Sequence, residues 1–572
     1  MKVLIADIET DGLLHELTKI HCIAIKDTQT DETILYADAE SYLPISEGIE
    51  RLSEAERVVM HNGLAFDLPA IVRFYGNTCL SPHKVFDTLV ASRLVAVENQ
   101  RHSLQAWGER LGFEKGDYED WSKFTDEMGE YCKRDVEVTH KVYDTLKDCP
   151  FKDAMELEHR FQFAMSLQQQ HGFRLDVEAA VQLSGELRQE LNDIEEEMSK
   201  KWLPLVSERW SEKTGKKLKD GIEIFNCGSR KQIGERLIAN YNWKPKQYTP
   251  TGVPKIDENI LKNLKFPEAI KLSRYFRLQK MLSQISDGDA AWLKLERDGY
   301  VHGSMRTIGA ATHRCAHFAP NMAQVDKKDL RMREVWLPDP EEVLVGCDAD
   351  ALELVCLAHY LGRYDDGEYQ HALLNGSKED GTDVHSRTQK LLELPTRDQA
   401  KTAQYAYLYG ASDRKLAQIS REAGGPIKDG KEIRRRMNEG ITGLGKLSQG
   451  IQRRAEKGSF KAIDGRHIKL KSPHSALNFL LQSTGAIVMK KAVEVFHYDL
   501  ATVDRHVENN LPRTFSYCAN VHDEQQLTTA PENAETIGEL FCQSISQAAL
   551  RLNLRCPLSG TYAIGKNWKE TH

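Results

Sequence analysis

Two strand-like runs in the C-terminal half of the sequence end in carboxylates. Residues 343–348 read Val-Leu-Val-Gly-Cys-Asp, and residues 515–529 place Asp523 and Glu524 at a turn between two further strand-like runs. Paired carboxylates at the edge of a sheet can hold two divalent cations. Because Mg²⁺ prefers carboxylate oxygen and keeps several waters, a site of Asp348 and Asp523 suits a metal that also holds substrate phosphates. The pattern predicts phosphoryl transfer; the alternative is a solvated turn without chemistry, since acids are common in turns.

A second set of acids lies in the first 150 residues. Asp7 and Glu9 are two positions apart on a short apolar strand, so both project to the same face. Asp67 follows a glycine-containing turn, and Tyr131 precedes Asp135 by one helical turn. In order, spacing and residue type the set resembles the DEDDy 3′→5′ exonucleases. The resemblance implies that the four carboxylates hold two metals about 3.5 to 4 Å apart and that Tyr131 orients the attacking water.

The segment 394–410 carries the most specific pattern in the chain. Arg397, Lys401, Tyr405 and Tyr409 recur every four residues and line one face of a predicted helix. Two cations followed by two aromatic rings can grip a triphosphate at one end and a sugar and base at the other. A core helix with its aromatic rings inward does not explain why the same face begins with Arg and Lys. Here the chain resembles the family A DNA polymerases, most closely the replicative polymerases of short-tailed phages.

This resemblance covers nearly the whole chain and implies roles for further residues. It makes Asp348, Asp523 and the carbonyl of Ala349 metal ligands, with Glu524 beside them in the catalytic set. Lys401 would donate to the leaving pyrophosphate as well as bind the triphosphate. The implied nucleotide-binding residues are His385, Arg397, Lys401, Tyr405 and Glu353, the last two forming a wall against a ribose 2′-OH. The implied DNA-binding residues are Arg314, Tyr409, Asn478, Gln482 and His522, of which Arg314 and Gln482 would check base-pair geometry in the minor groove.

Length and composition are compatible with this interpretation. The chain has 572 residues, so several domains are expected. Its eleven cysteines show no Cys-x-x-Cys spacing, so neither a zinc ribbon nor a disulfide framework is indicated, and a reducing cytoplasm fits. No run approaches the roughly 20 apolar residues of a membrane span, and no signal peptide is evident. A net charge of −8 argues against indiscriminate coating of nucleic acid but permits a local basic groove.

We therefore predict an α/β multidomain protein in which an RNase H-like 3′→5′ exonuclease domain, residues 1–150, precedes a right-hand polymerase domain. The thumb is expected at 151–299, the palm at 300–365 and 478–572, and the fingers at 366–477. Residues 155–199 have a helical pattern, and 202–226 form a lysine-rich connection that could meet phosphates. Because the chain begins with the exonuclease strand, no 5′ nuclease domain is expected.

Some residues depart from the family's usual pattern. Asp350 stands where serine is common, Val355 where arginine is common, and Asp326 where a proline is usual. None of these changes removes a predicted ligand. A single-subunit RNA polymerase is one alternative, against which Glu353 and the exonuclease set argue. A non-catalytic DNA-binding scaffold is the other, but it has no need of six mutually repelling carboxylates.

The resemblance also implies cofactors and partners. Two Mg²⁺ ions are expected at each active site, with Mn²⁺ able to substitute. Primer-template DNA and dNTPs are the expected ligands, and a phage helicase-primase and a single-strand-binding protein the expected partners. Thioredoxin is not expected, since the interval 202–226 is too short for the insertion that captures it in relatives. No membrane association is expected, and the site of action would be the cytoplasm of the infected bacterial host.

Overall fold

The computed structural model of the chain describes residues 2–76, 79–97, 99–211, 213–217, 219–470, 472–500 and 514–572. The part of the predicted second palm segment at 501–513 lies outside the described residues. Among the described helices, none is both long enough and apolar enough to cross a membrane.

The N-terminal part is a five-stranded sheet covered by helices. Its strand order is β3-β2-β1-β4-β5, with β1 antiparallel to β2 and parallel to β4. The strands are β1 (Val3–Thr10), β2 (Ile20–Asp27), β3 (Thr33–Tyr36), β4 (Arg57–Met60) and β5 (Val85–Asp87). The helices are α1 (Ile45–Ser53), α2 (Asp67–Tyr75), α3 (Thr88–Val95), α4 (Leu104–Leu111) and α5 (Asp126–Leu146). Apolar side chains on both faces of β1 are buried, which fixes it as the central strand.

The middle of the chain is mainly helical. Its elements are α6 (Lys152–His171), β6 (Phe173–Leu175), α7 (Val177–Lys201), β7 (Leu205–Ser207), β8 (Gly221–Glu223), α8 (Arg230–Tyr241), α9 (Glu258–Lys262), α10 (Pro267–Leu282) and α11 (Trp292–Leu295). The predicted helical stretch 155–199 is therefore interrupted, since Gly172 has a φ of +80° and is followed by a strand. The lysine-rich connection is a β-hairpin, because β7 pairs antiparallel with β8.

The C-terminal part contains a four-stranded sheet in the order β17-β18-β14-β19 and a helical region inserted between its strands. The strands are β9 (Glu296–Arg297), β10 (Tyr300–Val301), β11 (Ser304–Arg306), β12 (Ala316–Phe318), β13 (Trp336–Leu337), β14 (Val343–Ala349), β15 (Ser459–Lys461), β16 (His467–Lys469), β17 (Ser516–Val521), β18 (Glu524–Thr529) and β19 (Gly560–Gly565).

The helices of this part share an apolar core with one face of the sheet or form the inserted region. They are α12 (Arg331–Glu334), α13 (Leu352–Leu361), α14 (Glu368–Asn375), α15 (Val384–Leu392), α16 (Arg397–Leu408), α17 (Asp413–Glu422), α18 (Gly430–Gly440), α19 (Leu444–Ala455), α20 (Ala476–Glu494) and α21 (Ala534–Arg551). Helix α20 is apolar around most of its circumference and is buried accordingly.

A fully buried ion cluster, here called the Glu158 cluster, joins distant parts of the chain. Lys490 Nζ lies 2.8 and 2.9 Å from the two carboxylate oxygens of Glu158, and Arg466 Nη1 donates to the same carboxylate. Arg466 Nη1 also lies 3.3 Å from His313 Nδ1. Because removing one partner of a buried ion pair costs about 3–5 kcal/mol, these residues tie α6 to α20 and to the loop before β16.

Candidate catalytic sites

The N-terminal acids come together where α5 crosses the central sheet. Strand β1 places Asp7 and Glu9 on one face, and α5, which carries Asp135, packs across β1 and β2. Asp67 is the first residue of α2. Asp7, Glu9 and Cys132 each offer a ligand atom within 4.8 Å of the other two. Asp67 and Asp135 lie near enough to Asp7 to raise its pKa, so the four predicted carboxylates are neighbours, although only Asp7 and Glu9 of the four belong to that 4.8 Å set.

Burial and mutual repulsion shift the ionisation of these acids. Burial, and then Asp135, raises the pKa of Glu9 to about 9, and burial with Glu9 raises the pKa of Asp7 well above its usual value. Burial raises the pKa of Asp67 to about 7 and that of Asp135 to about 6. Glu9 Oε1 and Asp135 Oδ1 are buried without a hydrogen-bond partner. Carboxylates in this state fit divalent cations, which neutralise the charge and use the unpaired oxygens.

Tyr131 lies one helical turn before Asp135, as predicted, and belongs to an aromatic cluster. Its ring centroid is 5.9 Å from that of Tyr118 and 5.7 Å from that of Trp121. Burial raises the pKa of its phenol to about 12, so the hydroxyl is neutral at physiological pH and can donate a hydrogen bond.

Two residues around this site were missed by sequence reasoning. Asp87 accepts hydrogen bonds from the backbone of Asn62 (3.0 Å) and Leu64 (3.1 Å), which fixes the turn that leads to Asp67. Lys115 Nζ donates to Asp135 Oδ2 and lies 4.6 Å from the ring centroid of Tyr131. Both belong to irregular or terminal positions where hydrophobic periodicity carries no signal.

The second site lies at one end of the C-terminal sheet. Asp348 is the penultimate residue of β14, and Asp523 lies in the turn between β17 and β18, where Ala349 N donates to Asp523 O at 3.3 Å. The φ of +60° at His522 makes this turn tight. Burial, with Asp523 and Glu524, raises the pKa of Asp348 to about 7, and burial also raises the pKa of Asp523. Asp348 Oδ1 is buried without a partner, so this pair also fits a divalent cation.

Glu524 differs from its predicted setting at the turn. It is the first residue of β18, pairs with Asp348 in register and is 4% exposed. Trp568 Nε1 donates to its Oε1, and His572 Nδ1 lies 2.8 Å from its Oε2. Burial alone would raise the pKa of Glu524, but the contact with His572 and the charge of Arg333 lower it. Its oxygens are therefore engaged by residues near the end of the sequence.

Asp350, the extra acid beside the predicted palm ligands, has partners of its own. Its carboxylate accepts from Ser559 Oγ at 2.7 Å and from Thr561 Oγ1 at 3.3 Å. It therefore fastens the end of β14 to β19, which accounts for an acid at this position.

The predicted helix with the four-residue repeat is α16. Thr396 and Gln399 form a capping box that fixes its N-terminus, and Tyr409 is the residue that ends it. Arg397 Nε and Nη2 donate to Asp383 Oδ1 at 3.1 and 2.8 Å. Lys401 is exposed on the same face.

Aromatic and polar contacts extend that face toward the sheet. The ring centroids of Tyr405 and Tyr409 are 6.0 Å apart, and His385 lies 6.1 Å from Tyr405. His385 is buried, and its Nδ1 lies 2.8 Å from Gln404 Oε1. Burial raises the pKa of Tyr405 to about 12, with further contributions from Glu353 and Asp523. The end of α16 is thus within electrostatic reach of the acids at the sheet.

Glu353 connects three of the predicted site residues. Its Oε1 accepts from Tyr409 Oη at 2.8 Å and from Arg314 Nη2 at 3.2 Å. Arg314, His522 and Asp523 line one narrow cleft.

Asn478 and Gln482 lie one turn apart near the start of α20. Both are half-buried, and Asn478 Oδ1 is buried without a hydrogen-bond partner. Asn478 lies near the end of α16, since a Cβ at Gly410 would be 3.9 Å from Asn478 Cβ.

Comparison with known proteins identifies both parts of the chain. The profile of DNA polymerase family A matches residues 188–570, and that of the RNase_H superfamily matches residues 4–147. The DNA-directed DNA polymerases of Enterobacteria phage T3 and Escherichia phage T7 are each 28% identical over the full length of both chains. DNA polymerase I of Aquifex aeolicus is 24% identical over 99% of this chain and 95% of the relative.

A solved structure shares the fold. The polymerase domain of Pol1 from M. smegmatis, in complex with DNA primer-template and dNTP, superposes with a TM-score of 0.77 at 18% identity, covering 99% of this chain and 96% of that one. The predicted fold class, an RNase H-like domain followed by a polymerase domain, is confirmed, as is the predicted family. The chain belongs to the family A DNA polymerases and carries an RNase H-like domain at its N-terminal end.

Proposed function

We propose that this family A polymerase extends a primer on a DNA template and proofreads it with a 3′→5′ exonuclease in residues 1–150. The observation that supports synthesis most directly is the meeting of Asp348 and Asp523 at a sheet edge, within electrostatic reach of the aromatic end of α16. The second carboxylate set, on a separate sheet, supports hydrolysis. A second site that removes mismatched ends multiplies an accuracy that base-pair selection alone cannot reach.

Asp348, Asp523 and the carbonyl of Ala349 would hold divalent cations, Mg²⁺ or Mn²⁺, in the polymerase site. When bound, such cations activate the primer 3′-OH and neutralise charge on the triphosphate. The unpaired Asp348 Oδ1 and the raised pKa values of both aspartates support the assignment. Glu524, with its oxygens engaged by Trp568 and His572, would shape the site from behind rather than ligate a metal directly.

The incoming nucleotide would bind along α16. Lys401, exposed on this face, would contact the triphosphate and donate to the leaving group. Arg397 and His385 would assist; because Arg397 is already paired with Asp383, a phosphate would have to share or replace that carboxylate. Tyr405 and Glu353 would form the wall against a 2′-OH.

The primer-template would contact a second group of residues. Arg314, Asn478 and Gln482 would meet minor-groove acceptors, which occur at every base pair and so allow geometry to be checked without reading sequence. Tyr409 would lie near the templating base and His522 beside the primer terminus. Arg314 and Tyr409 both donate hydrogen bonds to Glu353, so a nucleotide that contacts Glu353 would also change the contacts of these two side chains.

In the exonuclease site, Asp7, Glu9, Asp67 and Asp135 would hold two divalent cations, which supply an activated water and stabilise the leaving 3′ oxygen. The partnerless oxygens of Glu9 and Asp135 support this assignment. Tyr131, whose ring is held by its aromatic neighbours and whose hydroxyl is neutral, would orient the attacking water.

The larger assignments follow the same proposal. The thumb would be 151–299, the palm 300–365 and 478–572, and the fingers 366–477. The similarity to phage polymerases supports a phage-encoded enzyme that acts in the cytoplasm of an infected bacterium with a helicase-primase and a single-strand-binding protein. Thioredoxin is not an expected partner, because 202–226 forms only a short hairpin.

Primer extension tests the proposal. A 5′-labelled primer on a template of known sequence, incubated with dNTPs and Mg²⁺, should be extended in the order that the template dictates. Omission of one dNTP should stop extension at the corresponding template base. Extension with rNTPs instead would favour the RNA polymerase alternative, and binding of DNA without synthesis would favour the scaffold.

A further inference from the structure

Lys115 is a charged residue at the exonuclease carboxylates to which the proposed chemistry assigns no role. It lies in the loop between α4 and α5, and its Nζ donates to Asp135 Oδ2. The same ammonium group lies 4.6 Å from the centroid of the Tyr131 ring. The other oxygen of Asp135, Oδ1, is buried and has no partner.

Contacts on both sides hold this loop in place. Arg134 Nε donates to the carbonyl of Glu114 at 2.8 Å, and its guanidinium stacks 3.4 Å from the centroid of Phe113. At Gly108 a Cβ would lie 2.9 Å from Phe113 O and 3.1 Å from Lys115 N, so the end of α4 approaches the loop closely. With a side chain 26% exposed, Lys115 is placed by the fold and is not a free surface lysine.

We infer that Lys115 is a built-in counter-ion of the exonuclease carboxylates, and that divalent cations must displace it from Asp135 to load the site. An ammonium group and a metal ion use the same carboxylate oxygens and repel each other at short range. One positive charge offsets the repulsion among four clustered acids only in part. Two divalent cations would offset it fully and would need both oxygens of Asp135, the free Oδ1 and the Oδ2 that Lys115 now holds. The ammonium group already lies over the ring of Tyr131, so this cation–π contact can remain when Asp135 is lost as a partner.

Direct metal binding tests the inference without relying on activity. Lys115→Met removes the charge but keeps the length of the side chain, Lys115→Arg keeps the charge, and Lys133→Met is the matched control. Lys133 lies on α5 and pairs at 2.8 Å with Glu130, an acid that is not among the proposed metal ligands. All are made in a full-length chain whose palm acids are neutralised by Asp348→Asn and Asp523→Asn. Free Mn²⁺ is then measured by electron paramagnetic resonance during titration.

Lys115→Met is expected to lower the Kd for Mn²⁺ about tenfold, because a competing positive charge is removed from beside the ligands. Lys115→Arg and Lys133→Met should stay close to the parent. A Kd that is unchanged or higher in Lys115→Met overturns the inference. Lys115→Gln, which retains a donor without charge, should tighten binding like Lys115→Met and serves if the Met variant does not fold.

Thermal unfolding gives an independent readout. In EDTA, Lys115→Met should unfold at a lower temperature than the parent, because the carboxylates lose their internal counter-ion. In saturating Mg²⁺ that difference should disappear. An equal difference with and without Mg²⁺ would show a merely structural role and would reject the inference.

A third measurement, of activity, is the one test here that depends on the proposed exonuclease function. In the chain with an intact palm, the Mg²⁺ concentration that half-saturates single-strand hydrolysis should fall in Lys115→Met, while primer extension is unchanged. If the parent chain hydrolyses no single strand at any Mg²⁺ concentration, the proposed function fails, and the Mn²⁺ and unfolding measurements still decide the role of Lys115.

Discussion

At the scale of single residues, the two carboxylate sets are chemically alike but lie on different sheets. Asp7 belongs to β1 of the N-terminal sheet, whereas Asp523 belongs to the β17–β18 turn. We expect Asp523→Ala to reduce synthesis by more than about 100-fold, since even outer-shell partners of a metal ligand are worth 10- to 100-fold. Degradation of single strands should persist. Asp7→Ala should have the reverse effect in paired extension and hydrolysis assays. Loss of both activities in one folded single variant would contradict two separate sites.

Sugar selection should depend on the phenol of Tyr405, which lies close to Glu353 at the end of α16. The family resemblance implies that Tyr at this position tolerates a nucleotide without a 3′-OH, whereas Phe rejects it. Dideoxynucleotides should therefore be incorporated readily. In an Asp7→Ala background, Tyr405→Phe should strongly increase the preference for dNTP over ddNTP, measured as the ratio of kcat/KM values. An unchanged ratio would exclude this role.

The acids could be predicted as candidate ligands because their spacing carries information, whereas the setting of a residue could not be predicted where it depends on distant partners. The period of two in a strand is enough to pair Asp7 with Glu9. Nothing local to Glu524 shows that Trp568, 44 residues away, occupies its carboxylate. Asp350 appeared as an unexplained acid for the same reason, since its partners lie more than 200 positions away.

At the scale of elements, the sequence predicted α16 from its four-residue repeat but missed the break after α6. The repeat is a property of the helix itself. The break at Gly172 depends on strand β6, which pairs with β10 and β13, more than 120 residues later. Periodicity within a window cannot detect such pairing. The sequence predicted only a lysine-rich connection at 202–226 and gave no sign of the hairpin, because its strands are only three residues long.

The junction between α6 and β13 should make stability depend on pH. His171 Nε2 lies 3.0 Å from Asp339 Oδ2. Burial alone would lower the pKa of His171, but this contact with Asp339 raises it above the value in the unfolded chain, about 6.5. The stabilisation is therefore complete below about pH 6.5 and is lost as the pH rises through the folded-state value.

Thermal unfolding from pH 6 to 9 measures this effect. The difference in midpoint between the parent and His171→Gln should be largest at the acid end and shrink as the pH rises. His15→Gln is the control, because His15 is exposed and its ion-pair partner is Glu16 rather than Asp339. A difference that stays constant across the range would mean that the contact does not titrate.

At the scale of the whole molecule, the β7–β8 hairpin should offer only weak, salt-sensitive contacts that keep the enzyme on DNA. Its exposed Lys213, Lys216 and Lys219 can neutralise duplex phosphates, while Lys217 is paired with Glu208 at 2.7 Å. We expect modest processivity that falls steeply as salt rises. Each lysine–phosphate contact that is lost should reduce the slope of log K for DNA binding against log salt concentration by about 0.9. Product lengths under single-hit conditions measure it. A marked lengthening on addition of reduced thioredoxin would disprove the absence of a thioredoxin site.

The order of the domains and the family were predictable from motifs, since each motif is local and the motifs follow one another along the chain. How the parts are fastened together was not. His313, Arg466 and Lys490 carry no motif that links them to Glu158, and their association becomes visible only in the folded chain.

The Glu158 cluster restricts how genes of this kind can recombine. Glu158 is separated from Arg466 by 308 positions and from Lys490 by 332, yet the three side chains form one buried set. A crossover can combine Glu158 from one parent with a second parent that has no cation at positions 466 and 490. The buried carboxylate of Glu158 is then left uncompensated. That costs about 3–5 kcal/mol, against a total stability of about 5–15 kcal/mol for a typical protein. Viable mosaic genes should therefore inherit the codons for these three residues together or lose all three.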